Sequence, residues 1–170
     1  MAQTRSEPSS ASTTRAHCDE RSTSLDVFVG EWHMEGKQLA GPIGPDADIT
    51  AVQTFEWLDG HAFLIHRFDG RVGDSRASCI EIIGYDRDTG TCRAHTFYNH
   101  GLTNVWDIEQ RDGAWRLLGD WNLGGNPLKA RCTINFGNDN TTLSAKWECS
   151  SDGKQWQTFW DTHARKAVGH

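Results

Sequence analysis

Residues 102–121 read LTNVWDIEQRDGAWRLLGDW, and this stretch decides the fold. Asp112-Gly113 sits between two runs rich in apolar residues. An Asp-Gly pair so placed is the strongest short-range hairpin signal, because both central residues of the favoured turn need positive φ. A two-residue loop puts Arg111 opposite Ala114, Glu109 opposite Arg116 and Trp106 opposite Gly119. Side chains alternate along a strand, so one face carries Trp106, Ile108, Gln110, Trp115, Leu117 and Trp121. The other carries Val105, Asp107, Glu109, Arg111, Arg116 and Asp120. The charged face belongs to water and the tryptophan face to an interior.

The same reading extends in both directions. Downstream, Leu128–Phe136 and Thr142–Cys149 flank the turn residues 137–140. Cys132, Ile134, Phe136, Leu143, Ala145 and Trp147 fall on apolar faces. Arg131, Thr133, Lys146 and Glu148 point out. The cysteines there read as small buried hydrophobes. A last strand, about Gln155–Arg165, follows Asp152-Gly153. Upstream, Ser78–Asp86 and Thr91–Asn99 are joined through Arg87-Asp88-Thr89-Gly90. Ile49–Leu58 and His61–Phe68 are joined through Asp59-Gly60, with Leu58 opposite His61. One face of that pair has Gln53, Phe55, Trp57, Leu64 and His66; the other has Val52, Thr54, Glu56, Phe63, Ile65 and Arg67. Either can face in. Glu31–Leu39 completes about ten strands. Turn signals every 8–12 residues or so mark an all-β sandwich or barrel. A long meander removes its exposed edges by closing on itself. The expected fold is therefore an all-β, antiparallel up-and-down barrel, residues 25–170. A short helix at Leu25–Val29, with Ser24 as N-cap, leads into it.

Residues 1–24 are Ser/Thr-rich and almost free of large apolar side chains. Such a segment cannot offset its ordering entropy and is expected to be a disordered tail. The 170 residues carry 17 Lys plus Arg against 23 Asp plus Glu, a net charge of −6. With no basic cluster, a nucleic-acid partner is not expected. No apolar run reaches transmembrane length, so no membrane partner is expected either. The five cysteines show no CxxC spacing, which fits a reducing, cytoplasmic setting rather than a disulfide framework.

The stretch Phe28-Val29-Gly30-Glu31-Trp32-His33-Met34-Glu35-Gly36 contains a Gly-x-Trp. Further segments follow in order: Thr54 to Leu58, Phe63 to Arg67, Ile82 to Asp86 with Thr89-Gly90, His95-Thr96-Phe97, then Trp147-Glu148 with Ser151-Asp152-Gly153 and Trp156. Together they resemble the calycin group, meaning lipocalins, fatty-acid-binding proteins and nitrobindins. More closely, they resemble a bacterial lipocalin-like domain family of unknown function. The resemblance covers about Leu25 to Arg165 and implies a barrel with a cavity, not a reaction. It also implies that Trp32 plugs the barrel floor beneath Arg165, a cation-over-indole contact.

Several chemistries can be weighed on this frame. A Trp-lined interior suits a small apolar or aromatic ligand. Trp57, Phe97, Trp106, Trp115, Trp121 and Trp147 are the expected ligand-binding side chains. His66, Glu81 and His95 are the polar groups expected to orient that ligand. In an alternative reading the same three serve as catalytic residues of a cofactor-free acid–base enzyme, an isomerase or cyclase of a small metabolite. Glu81 is then a general base with a raised pKa. No HxH or HExxH exists, so no metal site is expected. No cofactor is expected. The likeness to nitrobindins raises haem as another reading, with His163 of the last strand as the residue to compare. Period two places His163 with Phe159, Asp161 and Arg165, opposite Trp156 and Trp160, and hence outside if the Trp face is inside. A last alternative is a barrel filled by its own tryptophans that acts as an interaction module. The oligomeric state stays open, a homodimer among the options.

Overall fold

The computed structural model describes residues 24–86, 88, 90–123 and 125–168. The expected tail, residues 1–24, lies almost wholly outside them. A single 3-10 turn, Ser24–Phe28, stands where the short helix was expected. Ten strands follow: β1 (Gly30–Gln38), β2 (Ala47–Trp57), β3 (Phe63–Val72), β4 (Ser75–Asp86), β5 (Thr91–Tyr98), β6 (Thr103–Arg111), β7 (Ala114–Leu123), β8 (Asn126–Phe136), β9 (Thr142–Ser150) and β10 (Gln157–Lys166). Each pairs antiparallel with its chain neighbours, and β1 pairs with β10 to close the barrel. No helix among the described residues is long and apolar enough to cross a membrane.

The turn chemistry sets the register. Asp112 and Gly113 both adopt positive φ, at 54° and 79°, and Arg111 faces Ala114. In the β2–β3 hairpin the loop is longer than expected. Leu58 N–H donates to the Phe63 carbonyl at 2.8 Å, and Trp57 faces Leu64. His61 N–H folds back on the Leu58 carbonyl, which makes a four-residue loop of Asp59 to Ala62. The slip amounts to two residues. It therefore leaves every side chain on its face, with Phe55, Leu64 and His66 buried inside.

Two expectations about the last strand need correction. The cation above Trp32 is Lys166, with Nζ 5.2 Å from the ring centroid, not Arg165. Trp32 faces Lys166 across the β1–β10 ladder, while Arg165 is exposed opposite His33. Trp32 is fully buried and donates its indole N–H to the Phe28 carbonyl at 2.7 Å. Phe159 was grouped with His163 on an outer face, yet it is buried. The β9–β10 register shifts between Thr158 and Trp160, a bulge that breaks the alternation. Phe159 and Trp160 both line the interior, and His163 stays outside.

The ends of the barrel differ. At one end Leu25, Phe28, Trp32, Phe55, Trp115 and Phe136 pack into a floor. Phe28 meets Phe55, Trp115 and Phe136 with ring centroids 5.0–5.4 Å apart. At the other end the β6–β7 ladder stops at Asp107 opposite Leu118. Beyond it, Thr103–Trp106 pair only with β5, and Gly119–Leu123 only with β8. Asn104 Nδ2 is buried beside this seam without a hydrogen-bond partner.

Candidate functional site

The barrel is not filled. A cavity of about 350 Å³ runs from the Leu25–Phe28 floor to a mouth formed by Ile43, Arg76, Tyr98 and His100. Its two walls have different chemistry.

Strands β1 to β6 supply a continuous hydrogen-bonded belt, one side chain per strand. Trp106 Nε1–H donates to Thr96 Oγ1 at 3.0 Å, and the Thr96 hydroxyl donates to Glu81 Oε1 at 2.7 Å. His66 Nδ1–H donates to Glu81 Oε2 at 2.6 Å, and its Nε2 lies 3.0 Å from Gln53 Oε1. Gln53 Nε2 reaches Met34 Sδ at 3.0 Å. The register makes this possible, since His66 faces Glu81 and Glu81 faces Thr96. Both ring nitrogens of His66 face oxygen acceptors. Phe55 lies flat on that ring, 4.1 Å away and 2° from parallel.

Burial alone would push the Glu81 carboxyl up. The charge and hydrogen bond of His66, with the Thr96 hydroxyl, outweigh it, and the net direction is down. This direction is opposite to the raised pKa expected for a base at Glu81. Burial, then the Glu81 charge, pushes the Tyr98 hydroxyl and the Cys79 thiol up. Burial likewise raises the Cys132 thiol. These groups remain protonated, so the cysteines are apolar fillers.

Strands β7 to β10 supply Leu117, Trp121, Cys132, Ile134, Leu143, Ala145, Trp147, Phe159 and Trp160. This wall is aromatic and nearly without polar groups. Trp147 meets Trp106 edge to face at 5.0 Å, and Trp121 meets Phe159 at 5.5 Å. The Thr162 hydroxyl is spent on the Ala145 carbonyl.

Of the expected polar groups, His66 and Glu81 come together on the cavity wall and His95 does not. His95 faces Ile82 on the outside, while Glu81 faces Thr96 on the inside. The β4–β5 register forces this: Glu81 pairs with Thr96 and Ile82 with His95, so Glu81 and His95, both odd-numbered, fall on opposite faces. Phe97 is outside for the same reason, half exposed at 50%. Trp106, Trp121 and Trp147 line the cavity as expected. Trp115 is buried in the floor against Phe28. Trp57 lies at the floor's edge, where its indole N–H donates to Asp26 Oδ1 at 2.7 Å and ties down the 3-10 turn. His163 is exposed and paired with Glu35 at 2.9 Å, so it gives no ligand to the interior. Gln53, Thr96, Tyr98, Phe159 and Trp160 were not anticipated as site residues. Carrying the register across the turn at 87–90 signals Thr96; nothing in the sequence signals the bulge that turns Phe159 inward.

These features define a class: closed antiparallel barrels with an aromatic cavity and a buried polar belt. The chain belongs to the family described as "Protein of unknown function (DUF1579)", whose model matches residues 19–166. No curated protein matches the sequence. Among solved structures it is similar to Rv2717c from M. tuberculosis, with a TM-score of 0.61 and 14% identity over 86% of this chain and 96% of that one. It is also similar to the S-type phycobiliprotein lyase CPES from Guillardia theta, with a TM-score of 0.57 and 11% identity over 96% of this chain and 100% of that one. At such identities the likeness is one of fold.

Proposed function

We propose that this protein binds a small, mostly apolar aromatic molecule inside the barrel. The observation that carries the reading is a cavity of about 350 Å³ enclosed between an aromatic wall and the His66–Glu81 pair. That volume lies near the lower end of the roughly 300–1,000 Å³ of small-molecule sites. Indole and phenyl faces gain about 25 cal/mol for each Å² of apolar surface withdrawn from water. The polar belt gives the ligand an orientation. The fold shared with a phycobiliprotein lyase supports a barrel that takes a small molecule, with a bilin as one option. A molecule as long as an open tetrapyrrole would extend through the mouth.

The test is native mass spectrometry of the protein purified from its own host, followed by denaturing analysis of whatever is released. A stoichiometric organic molecule supports the reading. An empty protein that also fails to quench its tryptophan fluorescence with aromatic probes sinks it.

A second reading is favoured by one distance, the 2.6 Å between His66 Nδ1 and Glu81 Oε2 on the cavity wall. Two ionisable groups in contact inside an apolar chamber can pass a proton to and from a bound substrate. His66 is the acid and Glu81 its counter-charge in this reading. Turnover of a bound metabolite that is lost in His66→Gln, with binding retained, separates catalysis from simple binding.

A further inference from the structure

The hydrogen-bond inventory of the cavity narrows the ligand. The indole N–H groups of Trp32, Trp57, Trp106 and Trp160 each have an acceptor within the protein. Those of Trp121 and Trp147 have none among the described residues, and both rings line the cavity. Both rings are half-buried, and an indole N–H with no protein partner is left to a bound molecule or to water. The aromatic wall therefore offers two donors to an occupant of the cavity.

The facing wall presents the opposite chemistry. Strand β9 stands five places from β4 around the ten-strand ring, so Trp147 and Glu81 line the same cavity from opposite sides of the barrel. The Glu81 carboxylate accepts from Thr96 and His66 only. A carboxylate has about four lone-pair positions, which leaves room for a further donor from a ligand. Glu81 is paired with His66, and Arg76 at the mouth is paired with Asp69 at 3.0 Å. Among the described residues no charge without a partner faces the middle of the chamber, so an ionised ligand would lose its hydration without return.

We infer that the cavity takes a planar, uncharged aromatic compound that carries a hydroxyl-type donor for Glu81 and a carbonyl-type acceptor for the indoles of Trp121 and Trp147. This rests on the small-molecule reading and specifies its ligand class. Four probes on one three-ring skeleton test it by quenching of tryptophan fluorescence: fluorene, 9-fluorenone, 2-hydroxyfluorene and 2-hydroxy-9-fluorenone. Each satisfied polar group is expected to tighten binding by about three- to tenfold, so the hydroxyketone binds tightest. Trp121→Phe/Trp147→Phe keeps an aromatic face, smaller by the pyrrole ring, at both positions and removes both N–H donors. It is expected to abolish the advantage of fluorenone over fluorene while fluorene itself still binds. 2-Methoxyfluorene, which keeps the oxygen and loses the donor, is expected to bind no better than fluorene. This arm needs only the wild-type protein. Equal affinity for all the probes overturns the inference and leaves the small-molecule reading in place. A carbonyl advantage that survives in the double variant also overturns it. Binding by none of the probes overturns both.

Discussion

The two halves of the barrel wall solve the problem of an interior in opposite ways. Across β1 to β6 the inward polar groups consume one another's hydrogen bonds from Met34 through Gln53, His66, Glu81 and Thr96 to Trp106. Across β7 to β10 rings pack on rings, and two indole N–H groups stay unspent. The first half depends on every partner being present. The second depends on volume. Satisfied polar chains fix a geometry, whereas an aromatic face with spare donors is free to select a guest.

The sharpest way to break this contrast is Glu81→Ala. It leaves the buried His66 ring without its carboxylate partner and is expected to cost about 3–5 kcal/mol in chemical denaturation. Replacing the pair together, His66→Phe/Glu81→Leu, is expected to recover most of that loss, because a buried ion pair often exchanges for apolar side chains without net cost. Full additivity of the two single losses would refute the belt as a coupled unit. The same carboxylate predicts a pH effect. Its folded-state pKa is depressed, so its stabilisation is complete above the unfolded value of about 4.3 and fades as pH falls through the lower folded value. Glu81→Gln should therefore flatten the acid limb of the stability profile relative to wild type.

On the other half, Trp147→Ala should cost about 3 kcal/mol through lost packing. It should also weaken aromatic-probe binding more than any change in the outer face. Gly119→Ala probes the join between the halves. An added Cβ would lie 2.7 Å from Trp106 Cε3 and 2.7 Å from the Val105 carbonyl oxygen. Overpacking of this kind is expected to cost about 1–3 kcal/mol by thermal denaturation. The smallest effect belongs to His95→Ala and Phe97→Ser, which should each stay within about 0.5 kcal/mol and leave probe affinity untouched. A marked loss of binding in either would return the outer face to consideration.

How much of this was legible follows from where local rules suffice. The Asp112-Gly113 turn and its alternation place Trp106, Leu117 and Trp121 without any tertiary information. His66 was readable as a candidate, a polar group beside Phe55, Trp57 and Leu64, though not the side of the sheet it takes. The faces of the first two hairpins were not readable singly, because each carries apolar residues on both sides; Ile65, Ile80 and Ile82 point outward. Choosing between faces needs the neighbouring ladder, and the step from Glu81 to Thr96 shows it. The bulge at Thr158 to Trp160 and the swap of Lys166 for Arg165 depend on closure between β1 and β10, which no local signal encodes.

That closure has a kinetic consequence. Every other ladder in the sheet joins strands adjacent in the chain and can zip from its own turn. The pairing of Trp32 with Lys166 brings together almost the two ends of the folded domain. Its loop-closure entropy is the largest in the molecule and is repaid only once nine hairpins already stand in order. The plug of Trp32 on the Phe28 carbonyl is then the last piece to set, so the ring should shut late in folding and be among the first parts to open.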